Sequence, residues 1–298
     1  MKPIQRAYLQ LHTAVFLFGF TAILGKLISL SEISLVWWRM MITTISFLFI
    51  GGVIKAFKEV PNKQRIQLLG IGIIIALHWV CFFGAVKYSN VSICLVCMAT
   101  GSFFTAIIEP LFFKRKIKMY ELVLGAMVIP GMYLVVESTS RDMRIGMRLA
   151  LISSILAVFL TIFNKKMVDN VEPKVMTFIE LGGGWLFLCL VMPVYVWQTG
   201  AAFLPEPMDF VYLLILALVC TTFAFVISLK ALRHISAFTN NLAVNLEPVY
   251  GILLAWWLFQ ENKEVGEYFY LGVLIVLLAV FSYPFVKKRF EKEESIVD

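Results

Sequence analysis

Charge is scarce in this chain. Only 15% of its 298 residues are Asp, Glu, Lys or Arg, against about a quarter in an ordinary soluble domain. No long hydrophilic stretch interrupts it, which leaves no room for a separate soluble catalytic or nucleic-acid-binding domain. Cysteine offers no framework either: Cys81, Cys94, Cys97, Cys189 and Cys220 are odd in number and all lie in apolar runs. Cys94-x-x-Cys97 has redox or metal spacing, but no second pair or nearby histidine completes a tetrahedral site. These cysteines are expected to pack as small hydrophobes, with no metal and no cofactor. The sequence also lacks H-E-x-x-H, G-x-S-x-G, paired aspartates within apolar runs and the phosphate-binding G-x-x-x-x-G-K-[ST] loop. Those absences count against a membrane-embedded hydrolase and against drive by nucleotide hydrolysis.

What the chain has instead is apolar length. Sixty per cent of residues are hydrophobic and the mean hydropathy is +0.87. The apolar residues fall in blocks of about twenty, the number needed to cross a core of about 30 Å at about 1.5 Å per residue. Ten helices are expected, at 7–29, 33–54, 66–86, 90–113, 119–137, 146–164, 174–198, 209–230, 236–259 and 267–286. The fold class is thus an all-α polytopic membrane protein. Lys2 and Arg6 precede the first run, as in a signal peptide, but the run is too long and lacks a small-x-small cleavage site; an uncleaved first helix is expected.

Basic residues set the orientation. With the N-terminus in the cytoplasm, 19 of the 26 Lys and Arg lie near 2–6, 55–65, 114–118, 165–174, 230–233 and 287–292, all inside. Five lie outside (Lys87, Arg141, Arg144, Arg148 and Lys263), and Lys26 and Arg39 lie within helices. This bias places both termini in the cytoplasm, with the chain in the inner (plasma) membrane. The net charge of +7 is then a match to anionic lipid, not to nucleic acid.

The ten helices divide into two fives. Tyr88-Ser89-Asn90-Val91-Ser92 aligns with Leu232-Arg233-His234-Ile235-Ser236, and Tyr120–Gly125 aligns with Glu267–Gly272. Residues 1–140 are expected to form one repeat, and 141–298 a second with a short cytoplasmic tail. Five is odd, so the second repeat enters from the opposite face. Inverted repeats place a binding cavity between them near the midplane.

Phe18-Gly19-Phe20, Gly25-Lys26 and Trp37-Trp38-Arg39, then Leu246-Glu247-Pro248-Val249, Glu261 and Gly272, resemble the drug/metabolite transporter superfamily, in its ten-helix EamA-type exporter branch. The resemblance implies a secondary carrier with a central cavity, exporting amino acids, their derivatives or drugs. Two positions depart from the family pattern: Lys116 stands near where a glutamate like Glu261 is common, and Glu180 near the counterpart of Arg39.

Ionisable and amide groups at mid-depth are the candidate site, because lipid penalises them. His78, beside Trp79, is too deep to snorkel, as is Glu247. Both are expected to hold substrate, a proton, or both; a structural hydrogen-bond network is the competing reading. Asn240, Asn241 and Asn245 share the ninth helix with Glu247 and the helix-breaking Pro248. In the first helix His12, Gly19 and Lys26, seven apart, form one stripe that is either a pathway wall or two groups near water. Glu109-Pro110 is expected to kink or cap, Glu180 to pair with Lys165 or Lys166, and Gly182-Gly183-Gly184 to allow close packing or bending. Trp37, Trp38, Trp185, Trp197, Trp256 and Trp257 are expected as interface anchors. The expected partners are a small-molecule substrate, protons in the coupled case, and lipid. The assembly is a monomer or a homodimer. An importer, a membrane enzyme and a scaffold are the competing functions.

Overall fold

The structure is a computed structural model that describes residues 3–114, 116–137, 139–244, 246–264 and 266–297. Asn245 therefore lies outside the described residues, as do Lys2 and Arg115 of the basic clusters.

Ten helical segments follow one another, and several are broken. The first is α1 (Pro3–Leu27) and the second is α2 (Glu32–Leu48) with α3 (Val53–Glu59), bent by 94° at Gly51-Gly52. The third is α4 (Asn62–Tyr88). The fourth is α5 (Val91–Met98) with α6 (Gly101–Phe113), and the fifth α7 (Met119–Ala126) with α8 (Val128–Glu137). The second half holds α9 (Arg144–Met167) and α10 (Pro173–Thr199). Its eighth segment is α11 (Pro207–Ala217), a π-helical stretch (Leu218–Phe223) and α12 (Ala224–Leu232). The ninth is α13 (Ala237–Val244) with α14 (Glu247–Phe259), and the tenth α15 (Glu267–Val297). Seven of these segments are long and apolar enough to cross a membrane, eight if the bent second one counts as a single span. This is a multi-pass membrane protein.

Local sequence explains where the helices begin and end. The Ser31 hydroxyl accepts from Ser34 N–H at 3.3 Å and starts α2, and the Asn90 side-chain Oδ1 accepts from Ile93 N–H at 2.9 Å and starts α5. Pro173 and Pro207 open α10 and α11, where a missing N–H is harmless. Pro248 does the same for α14, so the polar ninth segment is two helices meeting at mid-depth. Lys114 and Gln260 end α6 and α14 at φ 50° and 55°, matching left-handed stops in corresponding places of the two halves.

Packing follows a two-fold rule. The second segment packs on the seventh, the fourth on the ninth and the fifth on the tenth. The third packs on the sixth and seventh, and by exchange of the halves the eighth packs on the first and second. The fourth meets the sixth as the ninth meets the first. Each half has five segments, so the halves run in opposite senses through the bundle.

α4 crosses α10 at close range. A Cβ on Gly184 would stand 2.6 Å from Gly72 O and one on Gly183 2.9 Å from Leu69 Cα, so the glycine run serves close packing. The aromatic anchors divide. Trp197 and Trp257 are exposed, as interface anchors should be. Trp37 and Trp38 instead cluster edge-on with each other and pack against Phe203. Trp37 also meets Trp185 edge-on, and Trp38 Nε1 donates to Phe203 O at 2.7 Å. A loop that folds back over the helix ends gives these rings a protein partner in place of lipid headgroups.

Candidate functional site

A cavity of about 140 Å³ lies between the halves. Its wall draws on α1 (Phe18, Thr21), α2 (Arg39), α4 (His78, Trp79, Phe82) and α5 (Met98). From the second half come α9 (Ala157 to Asn164), α12 (Phe225 to Leu232), α13 (Asn240, Asn241, Val244) and α14 (Glu247). A void of about 30 Å³ adjoins it at Glu247, Pro248 and Gly101, where both the fourth and the ninth segments break. The main cavity runs from mid-bundle to the ends of α9 and α12, on the face that carries both chain termini.

Five of the expected site residues meet here: His78, Trp79, Asn240, Asn241 and Glu247. His78 Nδ1 lies 2.9 Å from Ser153 O, while Ser153 Oγ donates to His78 O at 2.9 Å. Nδ1 also lies 2.8 Å from Ser153 Oγ, so the ring is anchored to α9 through Nδ1 in either tautomer. Asn241 joins three segments: its Nδ2 donates to Thr105 Oγ1 at 2.8 Å and its Oδ1 accepts from Thr161 Oγ1 at 2.9 Å. Asn240 lies beside it with a buried, unpartnered Oδ1.

Two of the candidates lie off the cavity wall. His12 is exposed on the outer surface of α1 and away from the cavity wall. Lys26 is also off the wall; its Nζ lies 2.8 Å from Glu261 Oε1 and 4.6 Å from the Phe259 ring centre. Gly19, midway between them, is buried under Tyr250 of α14. The stripe is real as a line on the helix, but packing against α14 uses its middle, so it forms no continuous pathway wall.

Arg39 is the residue whose part the sequence hid. An arginine inside a membrane helix ordinarily pairs with a carboxylate or snorkels to the interface; Arg39 forms no salt bridge among the described residues and is buried. Its Nε donates to Thr221 Oγ1 at 2.8 Å, and its guanidinium carbon lies 3.7 Å from the centre of the Trp79 ring. Thr221 sits in the π-helical stretch, where its hydroxyl donates back to Leu216 O at 2.7 Å. Such stretches recur at functional sites because the extra residue re-aims a side chain. The Arg39 Nη1 is buried without a partner. Glu247 makes no side-chain hydrogen bond or ion pair among the described residues, and although it shares a cavity with Arg39, the two form no ion pair.

The expected pairing of Glu180 with Lys165 or Lys166 is absent. Lys165 donates to Leu232 O and Arg233 O at 2.7 and 3.1 Å, and Lys166 stands 4.8 Å above the Phe112 ring. Glu180 lies instead in the α4–α10 crossing, its carboxyl oxygens buried without a partner. Glu109 caps, as expected: its oxygens accept from Ala237 N and Phe238 N at 3.1 and 2.9 Å.

Comparison with known proteins agrees with this architecture. The family model described as "EamA-like transporter family" matches twice, over residues 5–137 and 144–283. No curated protein matches the sequence. A solved crystal structure, described only as that of a protein, superposes with a TM-score of 0.71 at 12% identity. The match covers 96% of this chain and 98% of that one. At that identity the likeness is one of fold. With both halves matched by the family model, the chain belongs to the EamA-like transporter family.

Proposed function

We propose that this protein is a secondary carrier that exports small amphoteric metabolites, such as amino acids or their derivatives, by alternating access. The observation that carries the reading is the pair Arg39 and Glu247. Both line one cavity, and among the described residues neither forms a salt bridge, with the other or with any third group. Opposite charges held apart in an apolar surround are stabilised when something bridges them. A solute with a carboxylate for Arg39 and an ammonium for Glu247 is such a bridge. Trp79, Phe82 and Phe225 supply an apolar wall for its side chain. The His78 ring and the Asn240 side-chain carbonyl add polar groups for a donor on the solute or for a proton.

Direction follows from two supports. The cavity reaches the face with both termini, and the 19-to-5 distribution of basic residues favours that face as cytoplasmic. Energy then comes from a solute or proton gradient.

The test is flux in sealed proteoliposomes against a panel of amino acids and their derivatives, with uptake and efflux measured separately. His78→Ala and Glu247→Gln are expected to insert normally and to transport severalfold more slowly. Glu247→Gln should also flatten any pH dependence if that group carries a proton. Wild-type rates in both variants over about pH 5.5–8 would overturn the site assignment.

A further inference from the structure

At the end of the bundle away from the chain termini, Glu261 ties three segments together. Its oxygens accept from Val91 N at 3.1 Å, Ser92 N at 2.9 Å and Ser92 Oγ at 2.6 Å, at the start of α5. The same carboxylate is paired to Lys26, near the C-terminal end of α1, at 2.8 Å. Glu261 is buried and immediately follows Gln260, whose left-handed backbone turns the chain back to reach α5. Asn90 Nδ2, donating to Glu264 at 3.1 Å, closes the same corner.

At the terminus-bearing end the same parts recur. Glu109 accepts from Ala237 N and Phe238 N at the start of α13. Lys165 stands near the C-terminal end of α9, as Lys26 does on α1, and α9 and α1 correspond when the halves exchange. The fourth segment thus caps the ninth at one end, and the turn just after the ninth caps the fourth at the other. The lysines differ. Lys26 is on its glutamate, whereas Lys165 Nζ donates to the Leu232 and Arg233 carbonyls at the end of α12, and no ion pair joins it to Glu109. Leu232 belongs to the cavity wall.

We infer that Lys26–Glu261 and Lys165–Glu109 are alternate latches of the access cycle. The two glutamate caps persist in both states and hold the fourth and ninth segments as a crossed pair. The lysine arms switch. With Lys26 on Glu261, the first segment is drawn over the end away from the termini, and the cavity extends toward the terminus-bearing end, as seen. In the opposite state Lys165 leaves the α12 carbonyls for Glu109 and closes that end, while Lys26 releases Glu261. The asymmetry in one structure is what an inverted repeat requires, because the two halves exchange conformations between states.

This inference rests on the alternating-access reading but not on any particular solute, so its test uses none. Single cysteines at Ser228 and Thr21 on the cavity wall are introduced into a cysteine-free background. Each is labelled with a membrane-impermeant maleimide, in intact cells and in inside-out vesicles. Lys26→Gln should slow Ser228 labelling from the terminus side severalfold and speed Thr21 labelling from the opposite side. Glu261→Gln, which keeps a cap acceptor and loses the charge, should act in the same direction, and Lys26→Arg should restore the parental rates. Lys165→Gln should do the reverse or leave the starting state in place. Rates within twofold of the parent for both Lys26→Gln and Glu261→Gln would overturn the inference. So would a Lys165→Gln shift in the same sense as Lys26→Gln. Absent flux with these labelling shifts intact would count against the carrier reading and leave the latches standing.

Discussion

The Arg39 guanidinium lies 3.7 Å from the centre of the Trp79 ring, on a neighbouring helix, and 5.5 Å from that of Phe83. The aromatic faces hold the cation where no carboxylate does. A desolvated cation–π contact of this kind contributes about 2 kcal/mol, which is more than tenfold in an equilibrium constant. Trp79→Leu is therefore expected to raise the KM for carboxylate-bearing solutes by roughly tenfold, with Trp79→Phe recovering part of the loss. Concentration-dependent initial rates in proteoliposomes measure it. An unchanged KM in Trp79→Leu would remove Arg39 from the solute site.

The α4–α10 crossing predicts a contrast between two nearby glycines. A Cβ on Gly72 would fall on the Glu180 carbonyl and within 2.8 Å of Gly184 N, whereas one on Gly70 meets nothing within 4 Å. Backbone cannot step aside as a flexible side chain can. Gly72→Ala is expected to force the helices apart at about 1–3 kcal/mol, seen as a lower melting temperature in detergent and a lower yield of folded protein. Gly70→Ala should be neutral or slightly stabilising, as alanine is the better helix former. Equal melting temperatures for the two variants would contradict the crossing.

Orientation has a direct check. In the cysteine-free background, single cysteines placed in 139–144 and in 200–207 are expected to react with impermeant maleimide in intact cells. A cysteine at the C-terminus should react only after permeabilisation. Both results follow from the basic bias, since lysine and arginine next to a span are retained on the cytoplasmic side. Labelling of the C-terminal cysteine in intact cells would reverse the topology, and with it the proposed direction of transport.

Much of the candidate site was legible from depth alone. His78, Asn240, Asn241 and Glu247 stood out because lipid offers such groups no partner, and the structure gathers them on one cavity wall. Pro248 marked the break at mid-bundle, because its ring has no N–H to give. The reasoning failed where it needed the angle around a helix. His12 and Lys26 share a line with Gly19, yet one faces outward and the other faces Glu261, 235 residues away. Glu180 was expected to meet a lysine one helix away; the lysines face α12 and α6 instead.

By itself the sequence determined that the chain crosses the membrane repeatedly, in two like halves, and how far along its span each polar group falls. Depth is one coordinate, read by counting residues from a charged end. Only the tertiary structure decided which way those groups point. In a bilayer a helix that is apolar all round carries no stripe to mark its inner face. The direction of Arg39, the bend between α2 and α3, and the π-helical stretch that offers Thr221 to Arg39 arise from how neighbouring helices pack. That packing is settled by glycine contacts and by hydrogen bonds between residues far apart in the chain, where lipid supplies no competing partner.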